Sequence, residues 1–123
     1  MKPKILIIDD DQIISEMYRV KFGQSGFDAE VFNTGKKAFE KIKEYEPDAV
    51  LLDIVMYPVD GFAVLEEVNS GQLKKKPKVV VLSNVGQKEE IEKGKTLGAA
   101  DYIVKSNMTP SEVVSRVKEI IGE

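Results

Sequence analysis

The chain has 123 residues, the size of one domain, with 42% hydrophobic residues to build a core and 32% charged residues mixed along its length. Eighteen basic residues against 21 acidic ones leave a net charge of −3, which excludes the broad cationic surface of a nucleic-acid binder. Cysteine and histidine are both absent, which excludes disulfides, thiolate metal sites, Cys nucleophiles, Ser-His-Asp catalysis and imidazole general bases.

No apolar run approaches the roughly 20 residues that a membrane helix needs. Met1-Lys2-Pro3-Lys4 leads into only four apolar residues and then three aspartates, which is not a signal-peptide pattern. A cytoplasmic protein is expected, and its chemistry must come from carboxylates, hydroxyls, lysines and bound cations.

The first apolar run is Ile5–Ile8, unbroken, rich in β-branched residues and too short for a helix. Such runs read as strands buried on both faces. Ile13, Ile14, Met17, Val20 and Lys21-Phe22 then make an apolar stripe at helical spacing. A second strand is expected at Ala29–Phe32, followed by a helix with Ala38, Phe39, Ile42 and Tyr45 inward. A third strand, Ala49–Leu52, precedes a helix carrying Phe62, Val64-Leu65 and Val68. Lys74-Lys75-Lys76-Pro77-Lys78 reads as a solvated loop before the fourth strand, Val79–Leu82. Gln87–Leu97 is a poorly specified helix. Its large apolar residues are Ile91 and Leu97, and it carries Gly94 internally, a cost of about 1 kcal/mol relative to Ala. It reads as a solvated surface helix held by local ion pairs rather than as an element poised to shift. The fifth strand is Tyr102–Val104. The last helix opens on a capping box, Thr109-Pro110-Ser111-Glu112, and presents Val113, Val114, Val117, Ile120 and Ile121.

Strands spaced by helices imply parallel neighbours joined by crossovers. The expectation is an α/β (βα)5 sandwich of three layers, a parallel five-stranded sheet between two layers of helices, occupying residues 1–123 as one domain. In such a sheet ligands gather beyond the carboxyl ends of the strands. The residues there are Asp9, Asp10 and Asp11 after the first strand, Asp53 after the third, Ser83-Asn84 at the end of the fourth and Lys105-Ser106 after the fifth. Clustered carboxylates repel, so either a pKa rises or a cation binds. All-oxygen ligands suit a hard divalent ion such as Mg2+. Asp10 or Asp11 is also a natural cap for the first helix. Lys105 stands within reach of a phosphate or of Asp53, and Ser83 could donate to a phosphoryl oxygen. Tyr102 alone reads as ordinary core packing.

In combination these residues resemble the receiver domain of two-component response regulators, of the single-domain chemotaxis type. ILIIDDD carries Asp9 and Asp10, and VLLDIVM carries Asp53, with Asp60-Gly61 downstream. VVVLSN carries Ser83, and GAADYIVK carries Tyr102 and Lys105. The resemblance covers the whole chain. It implies a flavodoxin-like sheet in the order 2-1-3-4-5, the order known for this family. It implies phosphorylation of Asp53 from a phosphohistidine on a histidine kinase or histidine phosphotransfer protein. It also implies Mg2+, or Mn2+, held by Asp10, Asp53 and the backbone carbonyl of Val55, with Asp9 acting largely through water. Ser83 and Lys105 would hold the phosphoryl oxygens and Tyr102 would change position, switching a surface for a downstream protein. Such a domain is a regulator in a phosphorelay, not an enzyme with an external substrate, and binds neither nucleic acid nor membrane.

Three departures from the family pattern stand out. Met56-Tyr57-Pro58 replaces Met-Pro, shifting the proline by one. Ser106 replaces the proline after Lys105, so a trans bond is expected there, since cis before a non-proline residue costs about 2.5–4 kcal/mol. Val55 and Val85, two residues beyond Asp53 and Ser83, cannot orient water, which implies slow loss of the phosphoryl group. Two other readings compete. Asp9-x-Asp11 also resembles the nucleophile motif of haloacid-dehalogenase-type phosphatases, which would make this a Mg2+-dependent hydrolase using Asp9. A degenerate receiver that only binds protein is the other, and the intact acidic pair, Asp53, Ser83 and Lys105 argue against it.

Overall fold

The computed structural model describes residues 2–123. Strands and helices alternate: β1 (Lys4–Ile8), α1 (Gln12–Gln24), β2 (Asp28–Phe32), α2 (Ala38–Tyr45), β3 (Ala49–Leu52), α3 (Gly61–Ser70), β4 (Lys78–Ser83), α4 (Lys88–Thr96), β5 (Asp101–Val104) and α5 (Pro110–Ile121), with a 3-10 turn at Lys105–Asn107. Every strand pair is parallel and the sheet order is β2-β1-β3-β4-β5. This is the flavodoxin-like arrangement expected, and each apolar run lies inside its strand.

The unbroken runs follow from burial on both faces. Successive side chains of a strand point to opposite sides. Leu6, Ile8, Val50, Leu52, Val79 and Val81 therefore pack on one side with Ala38 and Ile42 of α2 and Val64, Leu65 and Val68 of α3. Ile5, Ile7, Ala49, Leu51, Val80 and Leu82 pack on the other with Tyr18 and Phe22 of α1 and Val113, Val114 and Val117 of α5. The order reverses between β1 and β3, whose following helices leave to opposite faces. A crevice opens at that switch point, beyond the strand ends.

Two expectations need correction. The α1 stripe is split: Ile14 is half-buried and Tyr18 and Phe22 are buried, whereas Ile13, Met17 and Val20 face outward. The 13-17-20 row lies beside the 14-18-22 row on the helix, and only the second meets the sheet. In α4 the local ion pairs are missing: none of the ion pairs found among the described residues joins two residues of that helix. Contacts with the core hold it instead. Lys93 Nζ sits 4.4 Å from the centroid of the Phe62 ring. Gly94 is buried against Tyr102, where an added Cβ would lie 2.9 Å from the ring. The α5 capping box is present, with Thr109 Oγ1 accepting from the Glu112 N–H at 3.2 Å and the Glu112 carboxylate accepting from the Thr109 N–H at 2.9 Å. Lys74, Lys75 and Lys76 are exposed in the loop before β4, as expected.

Candidate functional site

The β1–α1 connection fixes the first carboxylates. Asp9 is buried, its N–H donates to Phe32 O at 3.3 Å, and its Oδ1 accepts from the Asp11 N–H at 2.9 Å. Asp11 caps α1, its Oδ1 accepting from Ile13 N and Ile14 N at 3.0 Å each. Using Asp11 as the cap leaves Asp10 exposed.

Asp53 enters beside Asp9 because β3 pairs with β1, and the Asp53 N–H donates to Ile8 O at 2.9 Å. Its Oδ1 accepts from Val55 N at 3.3 Å. The Asp60-Gly61 pair has two separate tasks. Asp60 caps α3 by accepting from Ala63 N at 2.9 Å. Gly61 lets the helix start directly against Asp53, since a Cβ there would lie 2.1 Å from Asp53 O. Val55 and Tyr57 are strongly exposed, whereas Met56 is buried. The Tyr57–Pro58 bond is cis, and no other cis bond occurs among the described residues, so Lys105–Ser106 is trans as expected.

Lys105 reaches the cluster from the end of β5. Its Nζ lies 3.2 Å from Asp9 Oδ2 and 3.8 Å from Asp53 Oδ2. Ser83 is fully buried, and its Oγ accepts the Val85 N–H at 3.2 Å. The Tyr102 hydroxyl donates to Val85 O, so Ser83 and Tyr102 meet at one residue. Burial pushes the Tyr102 phenol above its ordinary pKa.

One carboxylate oxygen each from Asp9, Asp10 and Asp53 lies within 4.8 Å of the others. Burial lifts the Asp53 carboxyl from 3.8 to about 6, with the neighbouring Asp9 charge adding to the rise and Lys105 opposing it. Lys105 outweighs the Asp9 charge, so the net rise is a desolvation effect that one ammonium does not cancel. The all-oxygen donor set suits a hard divalent cation.

The sequence of residues 5–118 matches the model of the response regulator receiver domain. The chain belongs to this family. Among curated relatives, the receiver is 32% identical over 123 residues to the alkaline phosphatase synthesis transcriptional regulatory protein PhoP of Bacillus subtilis, covering 98% of this chain and 49% of that protein. It is 30% identical over 119 residues to the DNA-binding dual master transcriptional regulator RpaA of Synechocystis, covering 97% and 49%. The receiver thus spans about half the length of the curated relatives it matches. Among solved structures, the BeF3-activated N-terminal receiver domain of Klebsiella pneumoniae RstA superposes with a TM-score of 0.88 at 25% identity, covering 98% of this chain and 99% of that one. A CheY-like receiver domain protein of Methanospirillum hungatei shares the fold, with a TM-score of 0.90 at 24% identity over 99% and 95% of the two chains.

Receiver domains are regulators, and the comparisons give the phosphatase reading no support. No helix among the described residues is long and apolar enough to cross a membrane. Sequence reasoning missed Asn33, whose amide nitrogen lies 2.7 Å from Asp9 O. An isolated Asn after a strand carries no distinguishing pattern.

Proposed function

We propose that this receiver accepts a phosphoryl group on Asp53 from a phosphohistidine of a sensor kinase or histidine phosphotransfer protein in the cytoplasm, and that phosphorylation alters a surface read by a downstream protein. One observation carries this reading: a buried, incompletely neutralised carboxylate stands at the switch-point crevice between Asp9, Asp10 and Lys105. The chain has no histidine, so the donor comes in trans. Ile13, Met17 and Val20 make an apolar face on α1 running away from the cluster, which suits a protein donor better than a small phosphate ester.

An oxygen of the ionised Asp53 carboxylate attacks phosphorus. The donor's P–N bond breaks, and the imidazole nitrogen leaves with the electron pair. Asp9, Asp10 and Asp53, with the Val55 backbone carbonyl, would hold Mg2+ or Mn2+. Such an ion neutralises charge on the phosphoryl oxygens and on the attacking carboxylate. Lys105, already between Asp9 and Asp53, turns its ammonium to a phosphoryl oxygen. The Ser83 hydroxyl donates to another. Ser83 and Tyr102 both bond to Val85, so a shift at Ser83 reaches Tyr102 through the backbone of that one residue. The size of the switch is bounded by the difference in contacts that the phosphoryl group makes in the two states. No external substrate is turned over.

Acetyl phosphate with Mg2+ tests this directly. Mass spectrometry should place the label on Asp53, and Asp53→Asn should take none. Label on another residue, or steady ester hydrolysis dependent on Asp9, would refute it.

A further inference from the structure

We propose that Asn33, which follows β2 and lies outside the acidic cluster, is a positioning residue for the Asp9–Asp11 segment. The inference rests on the reading of Asp9, Asp10 and Asp53 as the cation-holding, phosphoryl-accepting site. Asn33 Nδ2 donates to the backbone oxygen of Asp9 at 2.7 Å and to Ser15 Oγ at 3.0 Å. A carbonyl accepts only, so the amide nitrogen must face it. Ser15 is almost fully buried, and its hydroxyl donates onward to Gln12 O at 3.2 Å. One amide thus grips the segment at residue 9 and, through Ser15, at residue 12. Asp9 is held by the first grip, and Asp10 and Asp11 lie between the two.

The same turn braces the other wall of the site. Gly35 sits so close to the β3–α3 connection that a Cβ there would lie 2.4 Å from Val59 O. Residues 33–35 therefore touch both loops that carry the acidic cluster. Asp9 and Asp10 facing Asp53 repel one another when no cation is present. A segment held at both ends resists that repulsion and keeps the ligands ordered before the ion arrives. Loss of the grip should act on cation affinity first, and on phosphorylation only through it.

The test compares wild type with Asn33→Ala, Asn33→Ser and Ser15→Ala. Readouts are Mn2+ affinity from the EPR signal of the free ion, acetyl phosphate labelling at low and saturating Mg2+, and amide hydrogen exchange at Asp10 and Asp11 without metal. Asn33→Ala should weaken Mn2+ binding about tenfold, the low end of the loss seen for partners that orient metal ligands. It should slow labelling at low Mg2+, recover it at saturation, and quicken exchange at Asp10 and Asp11. Asn33→Ser, retaining one donor, should fall between Asn33→Ala and wild type, and it carries the comparison if Asn33→Ala folds poorly. Ser15→Ala keeps the bond to Asp9 O and should show the smaller effect. Variants that are less stable yet bind Mn2+ and label like wild type would reduce Asn33 to a strand terminator and overturn the inference alone. A wild type that binds no Mn2+ and takes no label would overturn the functional reading as well.

Discussion

Replacing Asp53 by Asn should stabilise the metal-free protein at neutral pH. The Asp53 carboxyl is raised from 3.8 to about 6, chiefly by burial and then by Asp9, with Lys105 pulling the other way. Between those two pH values the native state holds a proton that the unfolded chain has released. Native stability therefore falls as pH rises through the window, and the full cost is present above the folded pKa. A shift of about two units corresponds to roughly 3 kcal/mol at 1.36 kcal/mol per unit, and water reaching the rim of the sheet screens this to about 1–2 kcal/mol. Asn keeps the shape without the charge, and Lys105 keeps its partner Asp9 at 3.2 Å. Urea denaturation in EDTA, followed by far-ultraviolet circular dichroism, should give similar stabilities near pH 3.5, below the unfolded pKa. The variant should lead by about 1–2 kcal/mol at pH 8, or roughly 3–8 °C in Tm for a domain of this size. Adding Mg2+ should narrow or reverse the gap, because an ion at a hundred times its Kd contributes about 2.7 kcal/mol to the state that binds it. Parallel pH curves for the two proteins, or a less stable variant at pH 8 without metal, would show that Lys105 outweighs burial and Asp9. The desolvation argument would then fail.

Val55→Asn and Val85→Glu should each hasten loss of the phosphoryl group by about tenfold or more, since a positioned polar group that handles water commonly contributes about a hundredfold or more. Decay after removal of acetyl phosphate measures this, and a wild type as fast as the variants refutes it. Gly94→Ala should destabilise by about 1 kcal/mol, because close packing on Tyr102 outweighs the roughly 1 kcal/mol that Ala gains in a helix. It should also free the Tyr102 hydroxyl from Val85 O, visible in near-ultraviolet circular dichroism. A stabilised variant with an unchanged tyrosine signal would contradict that. Phe22→Ala, in a fully buried site edge-on to Phe27 with ring centroids 4.9 Å apart, should cost about 3–5 kcal/mol by denaturation.

The strands were legible because burial on both faces leaves no room for polar positions. Val50-Leu51-Leu52 and Val79-Val80-Val81-Leu82 needed no periodicity to be read. Helix faces were harder wherever two apolar rows run side by side. In α1 the sequence does not say which of Ile13 and Ile14 meets the sheet. The choice is made by where α5 and the sheet lie, and it was settled by the partly buried Ile14 with Tyr18 and Phe22. The candidate site was legible through strand ends, since residue type and position together place Asp9, Asp53, Ser83 and Lys105 on one edge. Asn33 was not, because its role depends on β2 lying beside β1, a pairing between residues 24 apart in sequence.

The separation of tasks along the strands explains why a receiver tolerates such an unfavourable cluster. Strand interiors carry the packing: Ile8 and Leu52 are fully buried, and the charged groups begin at the very next residues, Asp9 and Asp53. Beyond that boundary the backbone bonds still run sheet-like, from Asp53 N to Ile8 O and from Asp9 N to Phe32 O, so the carboxylates are held by the sheet without being enclosed in it. One residue deeper, desolvation would neutralise them. Several residues further out, they would swing free and separate. At the boundary they stay ionisable, crowded and fixed, which is the condition under which gaining one cation or one phosphoryl group most changes the local balance of forces.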